Sequence, residues 1–264
     1  MKIADRMDVL AKRQAFITLK DHKDNFVNNP TCRLINPTKS EMGKVSKQIL
    51  DRINNAVRLS TGVNQWKNSA AVINWFKNIN DKPKHKFITF DIVNFYPSIS
   101  ESLLRDSIKF AKQHTTISDR DVDIIMHSRK SLLFDNDIPW VKWDNKAMFD
   151  VIMGNYDRAE VCELVGLYIL DILRKKYGKN RMGLYRDDGA GAFKNLSGAR
   201  AEKIKKEITR LFSDLRLKIT IEVNQTIINF LDITLNLKDG KFYPYRKPND
   251  QPIYVHKLSN HPRQ

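Results

Sequence analysis

Three aspartates stand out against a strongly basic background. Asp91 lies near the end of a run of β-branched and aromatic residues, KFITFDI, and Asp187 and Asp188 sit side by side in RMGLYRDDGAGAF. Adjacent carboxylates repel each other unless a cation or basic group offsets them, so an acid pair in a basic chain calls for a counter-charge. Hard divalent ions such as Mg²⁺ take carboxylate oxygens, and two of them about 4 Å apart can activate a hydroxyl nucleophile and stabilise a leaving pyrophosphate. On that reading the acids hold metal while the surrounding Lys and Arg hold phosphates. An Asp-Asp-Gly run is also a common solvent-exposed turn, and Asp91 an ordinary strand-end residue; composition and spacing leave both readings open.

The basic background is broad. The 264 residues carry 46 Lys and Arg against 30 Asp and Glu, a net charge of +16 that points to a polyanionic partner. The excess is distributed: ten basic residues against five acids in 1–50, eight against three in 194–218, and six against two in 238–264, which suits a groove assembled from distant segments. With 41% hydrophobic residues and only 10 Gly and 9 Pro, the chain can build a core as one large domain or two small ones. No stretch approaches the roughly 20 apolar residues of a membrane span, and no secretory signal is visible. Cys32 and Cys162 are too few for a disulfide framework and lack zinc-site spacing, so an intracellular, reducing compartment is expected.

The elements that must position the acids follow from periodicity. Ile3, Met7 and Leu10 predict a short helix over 1–15, Ala15 to Leu19 reads as a strand, and Asn28, Asn29, Pro30 and Pro37 mark 21–37 as loop. Helices are predicted over 45–59 and 66–79. After the KFITFDI strand, Pro97 interrupts and Ser98 with Glu101 forms a capping-box pair for a helix from about residue 100. Ser118 and Asp121 form a second such pair. DIPWVKWD (137–144) reads as a strand or ribbon. Arg158 to Lys176 is apolar over most of its girth and should lie deep in the core. The Asp-Gly pair within 181–193 signals a tight hairpin, followed by a basic amphipathic helix over 199–213. Strands are expected at 217–223, 230–237 and 242–245, the last two joined by Asp239-Gly240. The predicted architecture is α+β, an antiparallel sheet with helices packed on one face.

Longer motifs narrow the choice. FDIVNFYPSI (Phe90 to Ile99) and LYRDDG (Leu184 to Gly189) resemble the two aspartate-bearing palm motifs of reverse transcriptases. CRLINPTKSEMGKVSK (Cys32 to Lys47), FDVIMGNYDRAEVCELVGLYIL (Phe149 to Leu170), and NFLDITLNLKDGKFYPYRKPND with YVHKLSNHP resemble the reverse transcriptase region of Penelope-like retroelements, over about residues 13 to 262.

That resemblance implies a reverse transcriptase-like fold, with a partial fingers region over 1–85 and a palm with a downstream hairpin segment over 86–264. It implies an RNA-directed DNA polymerase that extends a primer on an RNA or DNA template with dNTPs and two Mg²⁺ or Mn²⁺ ions. Asp91, Asp187 and Asp188 would be the catalytic metal ligands, with the Ile92 backbone carbonyl a further one. Tyr96 matches the aromatic steric gate under the nucleotide sugar, and is otherwise a core tyrosine. Arg33 matches the fingers arginine on the incoming triphosphate, and Met153 and Gly154 the glycine-centred segment beneath the templating base. Ser and Pro usually follow that Gly; here Asn155, Tyr156 and Asp157 stand there, which bears on substrate positioning.

Lys218 lies near the place of a lysine suspected of protonating pyrophosphate, and is otherwise a solvated strand residue. Phe230 to Leu237 resembles the hairpin that grips the primer end. Lys20 and Lys23 are candidates for nucleic-acid binding, Arg246, Lys247 and His256 are candidate strand-binding or structural residues, and Trp66, Trp75, Trp140 and Trp143 read as packing residues. The family commonly adds a thumb and an endonuclease domain, for which the 264 residues leave no room, so a retroelement fragment is expected. An inactive nucleic-acid-binding remnant and a metal-dependent nuclease are the alternatives, and the expected compartment is intracellular, with the nucleus included in the retroelement reading.

Overall fold

The structure is a computed structural model that describes residues 16–19, 27–30, 32–35, 41–129, 133–135, 138–140, 151 and 155–246. In chain order they form β1 (Phe16–Leu19), β2 (Cys32–Ile35), α1 (Glu41–Thr61), β3 (Asn64–Gln65), α2 (Ser69–Lys77), β4 (His85–Ile92), α3 (Phe95–Ser98), α4 (Glu101–Ala111) and α5 (Asp119–His127). There follow β5 (Leu133–Asp135), β6 (Ile138–Trp140), α6 (Arg158–Tyr177), β7 (Met182–Tyr185), β8 (Asp188–Lys194), α7 (Gly198–Asp214), β9 (Ile219–Gln225), β10 (Ile227–Phe230), β11 (Ile233–Asn236) and β12 (Phe242–Pro244). Among the described residues no helix is long and apolar enough to cross a membrane.

A five-stranded sheet in the order β3-β7-β8-β4-β9 organises the molecule; all its pairs are antiparallel except the short β3–β7 pair. Alternation along β4 decides which residues meet which layer. Ile88, Phe90 and Ile92 face the larger core, where they join Leu50 and Ile53 of α1, Leu104 of α4, Val165 of α6 and Phe212 of α7. The α6 helix is buried almost all round, as its composition predicts, and even Glu160 and Asp171 on it are buried. Phe87 points to the opposite face, with Ala190 and Ala192 of β8. That face is covered by Trp66, by Val72 and Phe76 of α2, and by Ile228, Phe230 and Leu235 of the three-stranded β10-β11-β12 sheet. The apolar cover stops short of Asp91, which is half-buried farther along β4 on the same face as Phe87.

Caps and turns fix the strand ends, and some differ from expectation. Ser118 and Asp121 make both bonds of a capping box, as predicted. The cap of α4 is Ser100, whose hydroxyl accepts from the Leu103 N–H; Ser98 instead ends the four-residue α3. The segment read as loop over 21–37 contains β2, paired with β1 from Phe16–Ile35 to Leu19–Cys32. The run read as one strand over 230–237 is a hairpin, because Leu231 adopts a left-handed φ of 54° and lets Phe230 pair with Ile233. Asp239-Gly240 turns as expected, with Gly240 at φ 70°.

The Asp188-Gly189 pair is not the hairpin turn. Tyr185 pairs with Asp188, so the turn is Arg186-Asp187, and Arg186 takes the left-handed conformation at φ 53°. Gly189 is already in β8, where a Cβ would overlap the Phe90 ring, itself packed on Phe212 at 5.1 Å. Its role is close approach of a side chain to backbone. Gly189→Ala should therefore destabilise the chain by about 1–3 kcal/mol, the usual cost of overpacking. Chemical denaturation should show part of that loss recovered when Phe90 is shortened to Leu in the same chain.

Candidate functional site

The acids meet at one end of the central strands. Asp91 of β4 and Asp188 of β8 are direct cross-strand partners, so their side chains leave the same face of the sheet. Asp187 occupies the hairpin turn beside them, and its carbonyl accepts the Ile92 N–H at 2.9 Å. That bond ties the turn to the end of β4. On the other flank of β4, Asp91 pairs with Thr220 and Ile92 with Ile219, and the Val93 N–H donates to the Lys218 carbonyl at 2.8 Å. Asp91, Ile92, Asp187, Asp188 and Lys218 thus share one end of the sheet, with the Lys218 side chain exposed.

The donors available there are hard oxygens. Cys162 lies nearby but burial pushes its thiol well above the ordinary range, with Asp187 raising it further against Arg158, Arg129 and Arg186, so it stays a neutral S–H. Among the described residues no three acid, His or Cys side chains already converge on one point. A cation here would complete its shell from phosphate oxygens and water, which is the habit of Mg²⁺ and suits a site with one or two carboxylates per ion.

Tyr96 stands next to this end of the sheet. It belongs to α3, which follows Asn94 in the left-handed region at φ 51°. The residue is 9% exposed and belongs to the larger core, in keeping with the core-tyrosine alternative. Burial raises its phenol, Asp187 and Cys162 act in the same direction, and Arg158 and Arg186 oppose them. The Arg158 guanidinium lies over the ring at 4.3 Å from its centroid, and the Phe95 ring is 6.2 Å away.

The start of α6 is fastened from two sides. Asp157, at its N-cap position, makes no side-chain cap and turns its carboxylate inward to a salt bridge with Arg129; both side chains are 0% exposed. The Ser128 hydroxyl donates to the same carboxylate at 2.8 Å. From the other side Lys47 of α1 pairs with Glu160, and the Asn54 amide donates to the Glu160 carbonyl at 2.9 Å. In the Asn155-Tyr156-Asp157 departure, Asp157 is thus committed to the core.

Other predicted residues lie farther out. Arg33 is in β2 with its backbone opposite Thr18. Arg246 is exposed just beyond β12, one residue after Tyr245, whose N–H donates to the Asp232 carbonyl in the β10–β11 turn at 2.8 Å. Lys20, Lys23, Met153, Gly154, Lys247 and His256, as well as Trp143, fall outside the described residues. Trp66 and Trp75 are packing residues, as expected, with ring centroids 5.1 Å apart. Sequence reasoning passed over Arg158, Arg186 and Arg129. Arg158 carried a readable signal, a cation in the first turn of a long helix, where the macrodipole disfavours it.

No protein-family model matches the chain, and no curated protein matches it by sequence. Solved structures do resemble it. Apo telomerase of Candida tropicalis, truncated from its C-terminal domain, aligns over 76% of this chain and 45% of its own, at 17% identity and a TM-score of 0.56. The RNA-dependent RNA polymerase of a human picobirnavirus aligns over 81% and 42%, at 12% identity and a TM-score of 0.58. Candida tropicalis telomerase in complex with a fragment of telomeric RNA aligns over 80% and 39%, at 15% identity and a TM-score of 0.54. The chain spans less than half the length of each of these proteins. The architecture they share with it, an antiparallel palm sheet backed by helices and preceded by fingers elements, is the reverse-transcriptase-like polymerase fold.

Proposed function

We propose that the chain is an RNA-directed DNA polymerase of the Penelope-like retroelement class, which extends a primer with dNTPs. The observation that carries the reading is the cross-strand Asp91–Asp188 pair beside Asp187, which brings carboxylates from two strands and their hairpin turn to one end of the sheet. Two Mg²⁺ or Mn²⁺ ions bound there supply charge neutralisation for the attacking 3′-oxygen and the departing pyrophosphate. Asp91, Asp187 and Asp188 hold these ions, with the Ile92 carbonyl as an additional oxygen. The hairpin keeps the carboxylates on a rigid element, as such sites need.

Tyr96 sits under the sugar of the incoming nucleotide and excludes a 2′-hydroxyl. Arg33 and the segment at Met153 and Gly154 hold the triphosphate and the templating pair, and Lys218 is the candidate proton donor to pyrophosphate. The distributed positive charge receives the strands, with Lys20, Lys23, Arg246 and Lys247 among the contacts. Support for a nucleic-acid partner comes from that charge and from the fold shared with polymerases, one of them solved in complex with telomeric RNA.

The direct test supplies the chain with a primed RNA template, dNTPs and Mg²⁺ or Mn²⁺. Template-dependent extension is expected, and so is binding that weakens with salt at a log–log slope of about −4 to −5, the value for about five phosphate contacts. Binding without any extension would identify an inactive remnant, and degradation of the template in place of extension would identify a nuclease.

A further inference from the structure

Arg158 stands where helix electrostatics disfavours a cation. As the first residue of the twenty-residue α6 it places a positive charge at the positive end of the helix dipole. Its guanidinium lies over the face of Tyr96, 4.3 Å from the ring centroid. Tyr96 is a buried member of the larger core, carried on a helix of four residues entered through a left-handed Asn94, so its ring is placed by what packs against it. One helical turn beyond Arg158, Cys162 comes close to the same tyrosine, so the first turn of α6 forms the wall against which the ring rests. That turn is in turn anchored by the Arg129–Asp157 and Lys47–Glu160 pairs.

We propose that Arg158 is a specificity-determining residue of the nucleotide site: stacked on Tyr96, it holds the ring in the position that rejects a ribose 2′-hydroxyl. The proposal rests on the polymerase reading and deepens it. A steric gate discriminates only as well as its ring stays put, because a ring free to swing aside lets the larger sugar in. Arg158 acts through Tyr96 and is a positioning residue. A flat guanidinium stacks on an aromatic face in a way that an ammonium reproduces only in part, so Lys should substitute incompletely.

The test measures binding of dATP and ATP to the full chain on a template whose primer ends in a dideoxynucleotide, so that no turnover is required. Wild type should prefer dATP, and Tyr96→Ala should lose most of that preference. Arg158→Gln should reduce the dATP-to-ATP affinity ratio by about 3- to 30-fold, the range expected for loss of a partly desolvated cation–π contact, and Arg158→Lys should fall between. In the Tyr96→Ala background, Arg158→Gln should change the ratio no further, since the two residues act as one unit. Its melting temperature should stay within about 2 °C of wild type, because removing the charge relieves the dipole conflict as the stacking is lost.

An Arg158→Gln chain that binds both nucleotides more weakly with the ratio unchanged would make Arg158 a phosphate contact and overturn the proposal alone. An additive double variant would do the same. A wild type that binds dATP selectively but keeps its ratio in Tyr96→Ala overturns the gate, and with it this role for Arg158, while leaving the acidic centre intact. A wild type that binds neither nucleotide overturns the polymerase reading itself.

Discussion

Asp187→Ala should abolish primer extension, with a loss of at least about a thousandfold, and leave affinity for a primed template within a few fold. The separation of effects follows from the charge layout. The acids occupy a small area at one end of β4 and β8, whereas the basic residues are spread over several segments, so strand binding does not depend on any one carboxylate. In the absence of divalent ions, Asp187→Ala should be as stable as wild type or slightly more stable, the usual relation between a charged functional site and fold stability. Mn²⁺ should raise the melting temperature of wild type through preferential binding to the folded state, and raise that of the variant less. Extension that survives in Asp187→Ala, or a thermal response to Mn²⁺ identical in both proteins, would remove Asp187 from the metal site.

The acidic centre was legible in the sequence because its parts are local. Asp91 ends a strand whose β-branched and aromatic residues announce it, and Asp187 and Asp188 lie in a hairpin framed by two strand-like runs. The error there was one of register. An Asp-Gly pair normally marks the turn, but Gly189 is required in the strand by the Phe90 ring from β4, a tertiary demand that no local pattern contains. The turn moved to Arg186-Asp187, and Asp188 became the cross-strand partner of Asp91.

β2 was overlooked for a related reason. Four residues, Cys32 to Ile35, are too short to compete with the turn signals around them, and only pairing with β1 defines the strand. The β10–β11 hairpin showed the opposite balance. Alternation suggested one continuous strand, the motif resemblance suggested a hairpin, and the left-handed Leu231 agrees with the motif.

Least legible of all was the anchoring of α6, and it yields the second large effect. Asp157→Ala should destabilise the chain by about 3–5 kcal/mol, because it leaves the Arg129 guanidinium buried without its counter-charge. At about 2–4 °C per kcal/mol for a chain of this size, the melting temperature should fall by roughly 6–20 °C. Arg129 has little in reserve: among the described residues its Nη1 has no hydrogen-bond partner, and its remaining bonds go to the Ser128 hydroxyl. Asp157→Asn keeps an acceptor for Ser128 but no charge for Arg129, and should fall between. Replacing both partners, Arg129→Met with Asp157→Ala, should recover much of the loss, since a buried pair exchanged for apolar groups is often neutral.

The same substitutions separate stability from nucleotide selection. Asp157 precedes Arg158 directly, so a loosened α6 start should relax the hold on Tyr96, and Asp157→Asn should show reduced dATP-to-ATP discrimination at temperatures well below its melting point. If the double replacement regains stability but not discrimination, the buried pair serves to aim Arg158 as well as to hold the helix. A melting temperature for Asp157→Ala within about 2 °C of wild type would mean that water reaches Arg129 and that the pair anchors nothing.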